Sequence, residues 1–244
     1  MRYNDLKKIV HQHSNKSQAI FLQRFFKTAP GQYAEGDILA GIKVPVQRMI
    51  AKQFTDLSLD ETQKAMQSKI HEERLIALFI LISKFKKADD IERAKIIDLY
   101  LNNRKHVNNW DLVDLSAPKL LGVWLVDKDR AILFKFAKSK NLWEKRISIL
   151  STFKFIQCGE FECTLKIAKI LLNDEHDLIH KAVGWMLREI GKRDLRVEED
   201  FLREYYQKMP RTMLRYAIEK FPEPKRKAYL KGKINSSFLN EINR

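Results

Sequence analysis

Apolar residues recur at three- and four-residue steps along nearly the whole of this 244-residue chain, and no window of four to eight residues alternates well enough to make a strand. That spacing dictates helices. The punctuation agrees, because eight glycines and six prolines are about half the usual share and too few for the turns of a β-sandwich or barrel. Helices are predicted at about 71–87, 89–102, 108–125, 127–139, 143–157, 160–173, 177–192, 195–208, 211–220 and 223–232, opened by Asp, Asn or, at Pro210, a proline. Two short helices near Ile9 and Ile20–Phe25 precede them, and the glycine-containing stretch 26–45 reads as a loop. Ser58 followed by Glu61 is a capping box that starts one more helix.

From residue 45 onward one helical pair occupies roughly 35–40 residues, the period of HEAT-like repeats. The expected fold is therefore all-α: an α-solenoid of HEAT-like antiparallel helix pairs with a concave basic face. An ordinary helical bundle is the alternative. No linker divides the chain, so residues 1–244 read as a single domain, long enough to bury a sizeable core, with 233–244 a frayed tail.

Lys and Arg number 46 against 31 Asp and Glu, a net charge of +15. Such a surplus points to a polyanion, either nucleic acid or an acidic membrane surface. The longest apolar run, Leu75–Ile82, falls far short of the roughly 20 residues a membrane helix needs. The first residues hold no apolar signal core, and two cysteines make no disulfide scaffold. A soluble cytoplasmic protein without a membrane partner is the expectation. Arg203–Lys233 carries ten Lys or Arg against three Glu, interleaved with Tyr205, Tyr206 and Tyr216, which suits phosphate contact and stacking.

Three constellations stand out. Trp110 and Asp114 are four residues apart and share a helix face, so a ring that packs on a nucleotide would sit beside a carboxylate that stabilises positive charge on a sugar. The plainer reading is a core tryptophan and a helix-capping aspartate. Arg146 and Lys154, on one face of a continuous helix, would lie about 12 Å apart and bracket a short stretch of phosphates, or else be two solvated cations. Lys181, Trp185 and Arg188 make a basic face with an aromatic at its centre, and Gly184 beside them admits either a packed helix or a ligand. Cys158, Cys163, His176 and His180 fit a zinc-finger spacing, but the apolar run Leu165–Leu172 continues as a helix where a finger has other architecture, so no metal is expected.

The strings NNWDLVDLSAPKLLG (108–122), LWEKRISILSTFKFI (142–156) and HKAVGWMLREIGKRD (180–194) resemble the AlkD-like DNA alkylation repair glycosylases, as does the amino-terminal FFKTAPGQYAEGDILAGIKVP (25–45). Together they span most of the chain in matching order. The resemblance implies an α-solenoid that holds duplex DNA and hydrolyses the N-glycosidic bond of N3- and N7-alkylpurines; no cofactor is expected, and a monomer is the default because the concave face must admit a duplex. It implies that Trp110 and Trp185 flank the lesion nucleotide, that Asp114 is the essential carboxylate, and that Arg146 and Lys154 hold the phosphate backbone. Phe25 falls where a related member has Tyr, which removes a hydroxyl while keeping the ring. The chemistory of such a lesion fits one carboxylate: an alkylpurine is already cationic, so it leaves as a neutral base without a general acid, and Asp114 has only an oxocarbenium-like transition state to stabilise. The competing readings are a non-catalytic DNA- or RNA-binding scaffold, which would not need Asp114, and a protein-binding scaffold, which gains little from the charge.

Overall fold

A computed structural model describes residues 1–234. The expected fraying after Gly232 falls mostly on residues outside that range. The described residues are helical and contain no strand; a single isolated parallel bridge joins Ile38 to Ile70. The fold is all-α, and the chain divides into two compact units, Met1–Trp124 and a second beginning at Leu125.

In the first unit the helices are α1 (Tyr3–Gln12), α2 (Lys16–Phe26), α3 (Val44–Gln53), α4 (Leu59–Met66), α5 (His71–Lys87), α6 (Asp90–Asn102) and α7 (Trp110–Ser116). Asn15, Ser58 and Asp89 cap α2, α4 and α6 by accepting backbone N–H groups, as their short polar side chains favour. Helix α5 organises the unit and packs against α3, α4 and α7. The apolar run Leu75–Ile82 lies entirely inside. A helix buried on all sides buries its own first turn too, so His71, Glu72, Glu73 and Arg74 are under cover and need partners. Glu72 accepts hydrogen bonds from the backbone N–H groups of Ala40, Gly41 and Ile42 at 2.8, 2.8 and 3.2 Å, which pins the loop before α3. Glu73 accepts from the hydroxyls of Tyr3 and Ser68, both at 2.5 Å.

In the second unit the helices are α8 (Ala131–Ala137), α9 (Leu142–Ser151), α10 (Phe153–Gln157), α11 (Glu162–Ile170), α12 (Asp177–Gly191), α13 (Leu195–Tyr205), α14 (Arg211–Ala217) and α15 (Glu223–Leu230). Helix α12 is central and packs against α9, α13 and α14. Gly184 permits its approach to α14: an added Cβ would lie 2.3 Å from the Met213 carbonyl oxygen and 2.6 Å from the Tyr216 Cβ. Close helix packing, rather than room for a ligand, explains that glycine.

Two predicted helices are interrupted within their expected spans. The one expected over 108–125 gives way after Ser116 to a wider turn at Pro118–Gly122, where proline lacks an amide hydrogen and Gly122 N–H reaches the Ala117 carbonyl at 2.8 Å. The one expected over 143–157 breaks at Thr152. The Ser151 and Thr152 hydroxyls donate to the carbonyls of Ile147 and Ile149, each at 2.7 Å, and such back-bonding bends helices. Arg146 and Lys154 therefore sit on separate helices and do not share the continuous face that their eight-residue spacing suggested.

Candidate active site

Asn109 opens α7 with its side chain accepting the Trp110 N–H at 2.8 Å, and this places Trp110 and Asp114 one turn apart. Both are half-buried, whereas Asp111, Leu112 and Val113 between them are buried. The two carboxylates of the motif thus have different surroundings. Asp111 is locked inward: one oxygen accepts the Leu112 N–H at 2.8 Å and the other lies 2.8 Å from His71 Nε2. Asp114 keeps part of its surface open to solvent.

Trp110 rests on Phe26, with ring centroids 5.4 Å apart and planes 15° from parallel. Phe26 in turn covers the His71 ring at 4.7 Å. Beneath that ring, His71 Nδ1 lies 3.3 Å from Asp37, whose other oxygen accepts from Arg74 at 2.7 Å. Burial disfavours a charged imidazole, but the charge of Asp111 and the hydrogen bonds that the ring donates to Asp111 and Asp37 outweigh it, and the His71 pKa rises to about 9. For Asp37, burial is likewise overcome by His71 and Arg74, and its carboxyl is held below the usual range.

In the second unit, α12 presents Lys181, Trp185 and Arg188, all half-buried. Lys181 pairs with Asp177 at 2.7 Å, and Arg188 pairs with Glu219. The Trp185 indole N–H donates to Glu189 at 3.2 Å, and its ring lies 6.1 Å from Phe153. Lys154 follows Phe153 on α10 and is half-buried. Arg146 goes elsewhere. It is 4% exposed and donates from Nη1 to the Leu178 carbonyl, tying α9 to α12. Phe25 is 57% exposed and lies tilted against Phe21 with ring centroids 5.1 Å apart, while its neighbour Phe26 lies beside Trp110.

The residues of the zinc-like pattern are engaged separately. Cys163 is buried in α11, Cys158 is exposed, and His176 accepts the Leu178 N–H at 3.1 Å as the cap of α12. Among the described residues no three His, Cys, Asp or Glu side chains are grouped to hold a metal ion. None of the described helices is long and apolar enough to cross a membrane.

Sequence reasoning missed Phe26, Asp37, His71, Arg74 and Asp111. The available signal was the run His71-Glu72-Glu73-Arg74 opening the helix that carries the longest apolar run of the sequence, where four ionisable side chains must find buried partners.

The family model for DNA alkylation repair enzymes matches residues 6–221. A solved structure described as a predicted DNA alkylation repair enzyme from Enterococcus faecalis is similar over 86% of this chain and 98% of that one, at 17% identity and a TM-score of 0.66. At that identity the likeness carries the fold alone. A comparison with curated protein sequences found no match. With its family match running through both units, the chain belongs to the DNA alkylation repair enzyme family.

Proposed function

We propose that this chain is a monofunctional DNA glycosylase that releases N3- and N7-alkylated purines from duplex DNA, acting as a monomer. The observation that carries the reading is the division of labour on α7. Asp111 is buried and held by His71, while Asp114, one turn beyond Trp110, is only half-buried, so the Asp114 carboxylate is the one that a substrate can meet from solvent. Trp110 packs against the nucleotide, and its π-face attracts the cationic base by about 1–2 kcal/mol once water is excluded.

The reaction balances without a cofactor or a metal. The C1′–N9 bond breaks with its electron pair going to the purine, which departs neutral because it began as a cation. Positive charge develops on the sugar beside Asp114. A water oriented by that carboxylate adds to C1′ and gives up its proton to Asp114 or to solvent. In the second unit, Trp185 packs against DNA, and Lys154, Lys181 and Arg188 neutralise phosphates, the last two exchanging their present carboxylate partners for the backbone. Arg146 braces α12 through one N–H on the Leu178 carbonyl, and a phosphate would take another of its five N–H donors. Exposed Phe25 offers an apolar contact to DNA.

The test is incubation with methylated duplex DNA in EDTA, followed by chromatography of the small-molecule fraction. Free 3-methyladenine and 7-methylguanine are expected. Intact duplex binding without any released base would favour a non-catalytic scaffold.

A further inference from the structure

Trp110 is held by a column of groups drawn from four places in the first unit. Phe26, the last residue of α2, lies nearly parallel to the indole at 5.4 Å. His71, the first residue of α5, lies under Phe26 at 4.7 Å. Asp37 from the loop before α3 and Asp111 from α7 flank the imidazole at 3.3 and 2.8 Å. Arg74 closes the base of the column on Asp37 at 2.7 Å and on the Ser68 carbonyl at 3.0 Å. Asn109, which caps α7, also donates to Asp37 at 3.4 Å. The same buried network therefore fixes both the ring and the helix turn that carries Asp114.

The geometry points to Phe26 and His71 as positioning residues: Phe26 sets the plane of the Trp110 ring, and His71, through Asp111, fixes the α7 turn from which Trp110 and Asp114 reach the substrate. This inference rests on the glycosylase reading for its catalytic meaning. The physical claim about Trp110 stands separately. Neither residue touches the substrate. An aromatic platform displaced by a fraction of an ångström loses the near-attack geometry that favours reaction, with little effect on the phosphate contacts that supply DNA affinity. The charged groups facing His71 are Asp37, Arg74 and Asp111, so deprotonation of the imidazole leaves two buried carboxylates to share one cation, Arg74.

The experiment compares Phe26→Leu and His71→Gln with the full-length protein in two measurements. Single-turnover base release from a 7-methylguanine duplex should fall on the order of tenfold or more in each variant, with duplex affinity within about twofold of the parent. Unchanged release in a folded Phe26→Leu protein would overturn the inference. The second measurement uses 5-fluorotryptophan, with the Trp110 signal assigned by its loss in Trp110→Phe. That ¹⁹F resonance should shift in Phe26→Leu, and in the parent it should titrate with a midpoint near 9. A resonance that neither shifts nor titrates would overturn the column even if His71→Gln fails to fold. If the parent releases no base, the glycosylase reading falls, and the ¹⁹F result alone still decides whether Phe26 and His71 hold Trp110.

Discussion

Among single residues, the two aspartates of α7 make the sharpest contrast. Trp110 and Asp114 could be singled out from sequence because four-residue spacing places them on one helix face whatever the rest of the chain does. The role of Asp111 could not, since its partner His71 is 40 positions away and local spacing carries no information about that pairing. Asp111→Asn should lower stability by about 1–3 kcal/mol, because the buried imidazolium loses its closest anion. Asp114 is only half-buried, so Asp114→Asn should cost less than Asp111→Asn, and a thermal scan of the two variants side by side checks the difference. The pH dependence has a fixed sign. His71 has a folded pKa of about 9 against an unfolded value of 6.5, so its contribution is complete below about pH 6.5 and is lost as the pH rises through about 9. Denaturant midpoints measured from pH 6 to 10 should fall across that window, and the fall should shrink in His71→Gln. Arg146 is the residue whose sequence reading changes most: a cation chosen for phosphate turns out to be buried on a backbone carbonyl.

Helices were legible where apolar spacing and caps coincide. The spacing places α5 at 71–87 and α12 at 177–192, and the structure has them at His71–Lys87 and Asp177–Gly191. The breaks were not legible, because they arise from hydroxyls turning back on their own helix at Ser151 and Thr152 and from the missing amide hydrogen of Pro118. Gly184 tests the packing of α12 on α14. In an isolated helix, Gly→Ala is stabilising by up to about 1 kcal/mol. Here the new methyl would fall 2.3 Å from the Met213 carbonyl oxygen, and backbone cannot swing aside. Gly184→Ala should therefore destabilise the protein by about 1–3 kcal/mol, measured by urea unfolding. A stabilised variant would show that the two helices separate freely.

For the molecule as a whole, the +15 charge was readable at once and points to a polyanion, in keeping with a DNA repair family. The division of the chain at Trp124 and Leu125 was not readable, because no run of Gly, Pro or Ser marks it. Duplex affinity should fall steeply with salt, and Lys154→Ala should reduce the slope of log K against log salt by about one, checked by fluorescence anisotropy at several ionic strengths. Arg146→Ala should instead lose stability first, by about 1–3 kcal/mol, as the covered Leu178 carbonyl loses a donor. The central claim is that one carboxylate drives base release, and single-turnover excision of 7-methylguanine from duplex DNA by Asp114→Asn beside the parent tests it most directly. A loss on the order of a hundredfold or more is expected, with the duplex still bound. Excision by the variant at the parent's rate would contradict it.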